Sequence, residues 1–433
     1  MKVFDSELYD GGLMRDGILF SLAYFITLLF TLDFEVSSLW ILLLYVACAT
    51  LSVCWTVHCY KLQLPTDTLI GPLYLLVGLC YAFFLPISIE TPSHFSVILG
   101  DGQFFSRLLY LPVYTICSGF LSVTAAVYVA RVFAIFFAAA IVWFSVQTIP
   151  YGETFLAIIC FLPSSIFSVV SGSSIGTSLM LSVLFIALVI RVSYTKAFYV
   201  MTIRYRIALA ASAFLMVLSD LACLAFLALL FMIPARCYGD RKNRFSFVGT
   251  MIIITLLIIG YRMYTTSNYD TSVFSKSAVF TGQILARPFY FVLTLVRTFF
   301  TNGGRYLLNL VVPSPGLLAS LPWPFILTFI VGFVYTIYFD AGLSPKRFYV
   351  IRCTLISTAL FTLVIATKGY LFSPEFSSGL ISGFIGTEFL PVALPAGFLL
   401  KRLFKHPSAA QKNLTFAVLI CVLANIASAL FLA

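Results

Sequence analysis

Three side chains able to carry a proton lie close together in the chain: Glu90, His94 and Asp101. In Ile89-Glu90-Thr91-Pro92-Ser93-His94-Phe95 a carboxylate and an imidazole stand four residues apart, just past the apolar run 68–88. A general base must sit where an acceptor hydroxyl reaches it from water. A carboxylate at the edge of an apolar phase meets that need, and partial desolvation raises its basicity. The plainer alternative is an acid ending a helix in a polar loop. A second set is cationic: Arg107, Arg131, Arg287, Arg297, Arg305 and Lys368. The planar guanidinium fork binds two phosphate oxygens at once, so a lipid-linked phosphate is one fitting partner. Pairing with Glu90, Asp101, Glu388 or phospholipid headgroups is the other.

What positions these groups follows from composition. Of 433 residues, 61% are hydrophobic and 10% charged, against about 45–50% and roughly 25% in soluble domains. No water-soluble core could enclose so much apolar surface. The composition predicts an all-α polytopic integral membrane protein. It excludes a soluble enzyme, a disordered tail, a nucleic-acid reader and a disulfide-stapled secreted module.

A helix needs about 20 apolar residues to cross the hydrocarbon. Thirteen runs qualify, at roughly 17–33, 38–57, 68–88, 126–147, 154–170, 174–192, 207–219, 221–235, 247–262, 322–340, 348–368, 385–400 and 413–433. The pair at 207–235 is short. Asp220 interrupts it, and a charge at the bilayer centre is costly. A tight hairpin with Asp220 at the turn moves that charge to the surface and brings the basic runs 191–206 and 236–244 to one side. With the N-terminus cytoplasmic, eighteen of the 26 Lys and Arg then fall inside, as the positive-inside rule expects. The eight outside are Arg107, Arg131, Arg262, Lys276, Arg287, Arg297, Arg305 and Lys368. The reading is thus a bundle of about 11–13 transmembrane helices.

Two outer segments are long, 89–125 and 263–321. Within them 108–121 and 285–311 are too Pro-broken or too Arg-rich to span, and read as helices lying in the interface. Asp220 reads as a turn or cap, and Glu388 as an ion-pair partner.

Other chemistries lack their residues. The ten cysteines show no CxxC spacing and sit mostly in apolar runs, as packing residues do. Three histidines, His58, His94 and His406, assemble no zinc site of ordinary spacing, so no metal is expected. No Walker loop, no GxGxxG after a strand and no internal repeat is present. Asp5, Glu7, Asp10 and Asp16 are wrong for a cleavable signal peptide. The chain reads as one membrane domain over 1–433, with extra N-terminal spans in 1–67, a core over 68–400 and a last span in 401–433.

The order of segments carries a resemblance. ETPSHF follows a span, then come LLYLPVYTICSGF, ARVFAIFFAAAIVW, IICFLPSSIFSVVSGSS, the hairpin between basic runs, TFFTNGGRYLLNLV and GFIGTEFLPVALP. Over about 68–400 this resembles the GT-C superfamily of membrane glycosyltransferases, and is most similar to a bacterial multi-spanning branch. The resemblance implies an inverting transfer of a monosaccharide from a polyprenyl-phosphate carrier, such as undecaprenyl phosphate, to a cell-surface glycan. Lipopolysaccharide O-antigen, as in serotype-converting glucosyltransferases, is the type of acceptor. It puts Glu90 at the acidic position of the first catalytic outer loop, 89–125, with His94 and Phe95 after it, and Arg131 at the opening of the next span. It implies a bacterial inner-membrane location with a periplasmic active face, no cofactor besides the lipid-linked donor, and a sugar synthase and a small flippase as pathway partners. Nucleic acid is not expected. The rival readings are a flippase or transporter for a lipid-linked sugar, and an O-antigen polymerase or ligase.

Overall fold

The computed structural model describes residues 66–85, 108–150, 152–194, 200–269, 286–312, 323–339, 348–372 and 386–401, with Val418, Cys421, Val422, Ala424 and Asn425. Among the described residues all regular structure is helical: α1 (Thr66–Phe84), α2 (Leu111–Cys117), α3 (Val123–Thr148), α4 (Glu153–Cys160), α5 (Pro163–Val170), α6 (Ser174–Ser193), α7 (Ile203–Ser219), a long 3₁₀ helix (Leu221–Met232), a short one (Ala235–Tyr238), α8 (Arg241–Tyr269), α9 (Pro288–Val311), α10 (Trp323–Phe339), α11 (Phe348–Phe372), a 3₁₀ turn (Gly386–Phe389) and α12 (Leu390–Lys401).

Three of these helices, α3, α6 and α11 over Val350–Lys368, are long and apolar enough to cross a membrane. The count becomes four if the bent pair α4–α5 is one span. Their outer surfaces stay apolar: Phe133, Phe137 and Phe144 are exposed along α3. Exposed apolar faces of this kind suit lipid better than water. The described residues are thus helical with three or four candidate spans, the make-up of a helical membrane protein. The expected spans at 17–33 and 38–57 lie outside the described residues, as does most of 413–433.

α6 is the axis of the bundle, packed against α3, α5, α7, the long 3₁₀ helix and α12. Its close approach to α5 depends on Gly176. A Cβ there would stand 2.3 Å from the Ser168 carbonyl oxygen, a backbone atom that cannot step aside. α1 runs antiparallel to α3, with Gly71 against Trp143 and Gly78 against Ile135.

Two elements differ from simple spans. The run 154–170 bends by 57° between α4 and α5. Pro163 opens α5, has no N–H to give, and crowds the carbonyl four residues back. The carbonyls freed at the break are taken up locally. Ser165 Oγ donates to Ile159 O at 2.7 Å, and Asn425 Nδ2 donates to Phe161 O at 2.6 Å. Asn425 also donates to Cys421 O and accepts from the Tyr81 hydroxyl, which ties three segments at the bend.

The second is the hairpin at Asp220. Seventeen residues of α7 rise and twelve of the 3₁₀ helix return. At about 1.5 Å per residue α7 is roughly 25 Å long. Twelve α-helical residues would give only about 18 Å, whereas the 3₁₀ rise of about 2.0 Å gives roughly 24 Å. The tighter helix lets a short run match its neighbour. It lies along α11, with Phe226 stacked on Phe361 at 4.8 Å between centroids.

Antiparallel packing sorts the charges to two ends. Arg191, Arg206, Arg236, Arg244 and Arg352 gather at one end, around the contacts Cys237–Val192, Met201–Cys237 and Thr354–Met232. Asp220, Lys368, Glu388 and the start of α3 lie at the other.

Candidate functional site

Glu90, His94, Asp101 and Arg107 lie outside the described residues. The structure does show the helix that leads into their segment. α1 ends at Phe84, and its last turn leaves carbonyls without intrahelical donors, as every helix end does. Arg131 meets them. It lies on α3, which Ser122 opens by accepting from the Ala125 N–H at 3.3 Å. Its side chain is 1% exposed. Nη1 donates to Ala82 O at 3.1 Å and Leu85 O at 2.8 Å, and the guanidinium sits 5.7 Å from the Tyr128 ring centroid. A cation at a helix C-terminus is also favoured by the helix dipole. Arg131, one of the candidate phosphate ligands, is enclosed and fastens the exit of α1.

Lys368, another expected phosphate ligand, is paired. Its Nζ lies 3.2 Å from Glu388 Oε1, between the end of α11 and the 3₁₀ turn Gly386–Phe389. Asp220 and Cys223 also act electrostatically on Lys368. Asp220 itself accepts from the Ala222 N–H at 3.0 Å and so caps the 3₁₀ helix, the structural part the sequence suggested for it. Cys223 Sγ lies 3.6 Å from Ser182 Oγ.

The other three cations belong to α9, and all are exposed. This helix docks on the same end of the bundle. Phe299 and Tyr306 pack edge-on and tilted against Phe389, and Ser164 Oγ donates to the Leu310 carbonyl. Gly386 permits the approach, since a Cβ there would stand 2.2 Å from Tyr306 O. Burial pushes the Tyr306 phenol above its usual range, against the opposing pull of its hydrogen bond to Asn302 and of the Arg305 charge.

The bundle therefore collects at one end a buried arginine on the last turn of α1, an ion pair with a second acid nearby, and three exposed arginines. The Asn425 contacts at the α4–α5 bend had no signal in the sequence, because 264 residues separate Asn425 from Phe161. Among the described residues no group of three or more His, Cys, Asp or Glu could hold a metal ion, and no disulfide joins the seven described cysteines. No family model matches the chain, and neither curated proteins nor solved structures provide a match.

Proposed function

We propose that the protein is a membrane glycosyltransferase of the GT-C type. It moves a monosaccharide from a polyprenyl-phosphate carrier to a cell-surface glycan, such as lipopolysaccharide O-antigen, on the periplasmic face of a bacterial inner membrane. The observation that carries the reading is Arg131 clamped on Ala82 O and Leu85 O. A buried cation holds fixed the point where α1 hands over to the segment bearing Glu90, His94 and Asp101, as a catalytic loop on a rigid scaffold requires.

In this scheme Glu90 takes the proton from the acceptor hydroxyl. The oxygen attacks the anomeric carbon, the glycosidic C–O bond to phosphate breaks, and the lipid phosphate leaves with the electron pair. His94 and Asp101 share the loop and orient the base. Arg107 and the arginines of α9, Arg287, Arg297 and Arg305, meet the charge that grows on the phosphate. Arg131 acts as a positioning residue, and Lys368, already paired, orders the Glu388 turn.

The test is Glu90→Gln, checked for insertion and assayed for sugar transfer from the polyprenyl-phosphate donor in membranes. Transfer should fall at least about a hundredfold, the usual worth of a general base. Full activity removes Glu90 from the mechanism, and cysteine labelling that puts 89–125 in the cytoplasm removes the scheme.

One observation favours a second reading. The broken pair α4–α5, buried in the bundle, resembles the discontinuous helices that line transport sites. A flippase for lipid-linked sugar would move the labelled lipid across proteoliposomes in the Glu90→Gln variant with the sugar still attached.

A further inference from the structure

α9 divides its circumference into three facets. One packs on the protein through Phe291, Thr294, Thr298, Tyr306, Asn309 and Val311, with Leu295, Phe299, Leu308 and Leu310 partly buried beside them. The second is exposed and apolar: Phe289, Leu293, Val296, Phe300 and Leu307. At 3.6 residues per turn these five fall within about 60° of arc. Phe289 and Phe300 are 90% and 88% exposed. The third is exposed and basic. Arg297 and Thr301 stand on the arc next to the stripe, Arg305 lies further round at the edge of the packed face, and Arg287 precedes the helix in line with Arg305; all four are exposed. No acid occurs anywhere in Pro288–Val311.

A water-soluble helix turns its apolar face inward. α9 does this with Phe291, Leu295, Phe299, Leu308 and Leu310, yet it also leaves a second apolar stripe outward, from Phe289 to Leu307. The outward facet therefore faces hydrocarbon. The basic facet beside it cannot share that environment, because an arginine in hydrocarbon is costly. The boundary between the two facets fits the headgroup layer, where both are satisfied at once. A second copy of the chain fits poorly. A self-complementary contact over this surface would bring arginine rows together with no carboxylate on either helix.

We infer that α9 lies in the membrane surface and binds the headgroup phosphates of anionic lipids along its basic facet, chiefly through Arg297 and Arg305, with their chains against the Phe289–Leu307 stripe. The six cations picked out in the sequence thus separate: Arg131 and Lys368 are engaged by the protein, Arg107 is outside the described residues, and those of α9 are presented to lipid. The donor of the proposed reaction is one lipid that would meet this surface, but the inference stands on α9 alone and holds equally for a transporter.

The test uses the full chain in nanodiscs of phosphatidylcholine with about one-tenth phosphatidylglycerol. Lipid retained after mild detergent extraction is counted by native mass spectrometry. Phosphatidylglycerol should be retained well above its share, with R297Q/R305Q losing about fivefold per arginine removed, and R297K/R305K keeping the preference. The lysine pair carries the test if the glutamine pair folds poorly. Photoactivated p-benzoylphenylalanine at position 300 should crosslink to lipid. Equal retention of the two lipids by the wild type, an unchanged preference in R297Q/R305Q, no preference in R297K/R305K, or a crosslink to a second copy would each overturn the inference. Displacement of the retained lipid by millimolar inorganic phosphate would also overturn it, by showing a site for the free ion.

Discussion

The two ends of the bundle handle positive charge in different ways. At the basic end, arginines settle on rings and stray carbonyls. Arg191 lies 5.5 Å from the Tyr205 ring centroid, Arg244 lies 5.4 Å from that of Phe231, and Arg206 Nη2 donates to Tyr238 O at 3.1 Å. The Nε atoms of Arg206 and Arg244 are buried without a partner. Asp240 is spent there on capping α8, by accepting from the Asn243 N–H at 2.6 Å. At the other end Arg131 makes two carbonyl bonds in full burial, and Lys368 has a carboxylate. The basic end gathers charge without specifying where each group binds. The opposite end gives Arg131 and Lys368 defined partners and leaves the arginines at α9 exposed.

Substitution should separate the two ends, and the order of effects measures the contrast. The largest loss is expected for Arg131→Ala. It removes two charge-assisted hydrogen bonds, leaves the α1 carbonyls unpaired and opens a cavity. Hydrogen bonds to charged groups are worth about 1.5–3 kcal/mol each, so a loss of roughly 3–5 kcal/mol is expected in denaturant or thermal unfolding in detergent. A smaller change than Arg206→Ala would refute the contrast. Arg206→Ala loses one bond from a half-buried side chain whose Nε is already unsatisfied, and should cost about 1 kcal/mol. Lys368→Met should cost least, below about 1 kcal/mol, because the lysine side chain of its ion pair is 44% exposed. If Lys368→Met matched Arg131→Ala, the Lys368–Glu388–Asp220 group would be a buried structural network rather than a surface pair.

Much of this was legible in the chain. The run 174–192 became Ser174–Ser193, and 126–147 became Val123–Thr148. Long apolar runs with polar flanks leave a helix few other ways to satisfy its backbone. The hairpin at Asp220 followed from charge placement alone. The bend at 161–162 was visible only as Pro163, which stops an α-helix without fixing the angle. The 3₁₀ winding of LACLAFLALLFM was not legible, since nothing in those residues forbids an α-helix.

The sequence by itself determined that the described residues are helical and rich in apolar runs, where the long apolar helices at 123–148 and 174–193 fall, and that the basic runs belong together. These follow from the cost of moving backbone and charge out of water, which is paid locally, residue by residue. Only the tertiary structure decided how Arg131, Lys368 and the arginines at α9 are placed. Arg131 and Arg297 are the same residue type in largely apolar stretches, Ala130-Arg131-Val132 and Val296-Arg297-Thr298, and their local sequence does not fix their different placement. One meets the open end of a helix 46 residues earlier in the chain, while the other faces outward. A guanidinium takes its role from the acceptors within 3 Å of it, and those are supplied by packing.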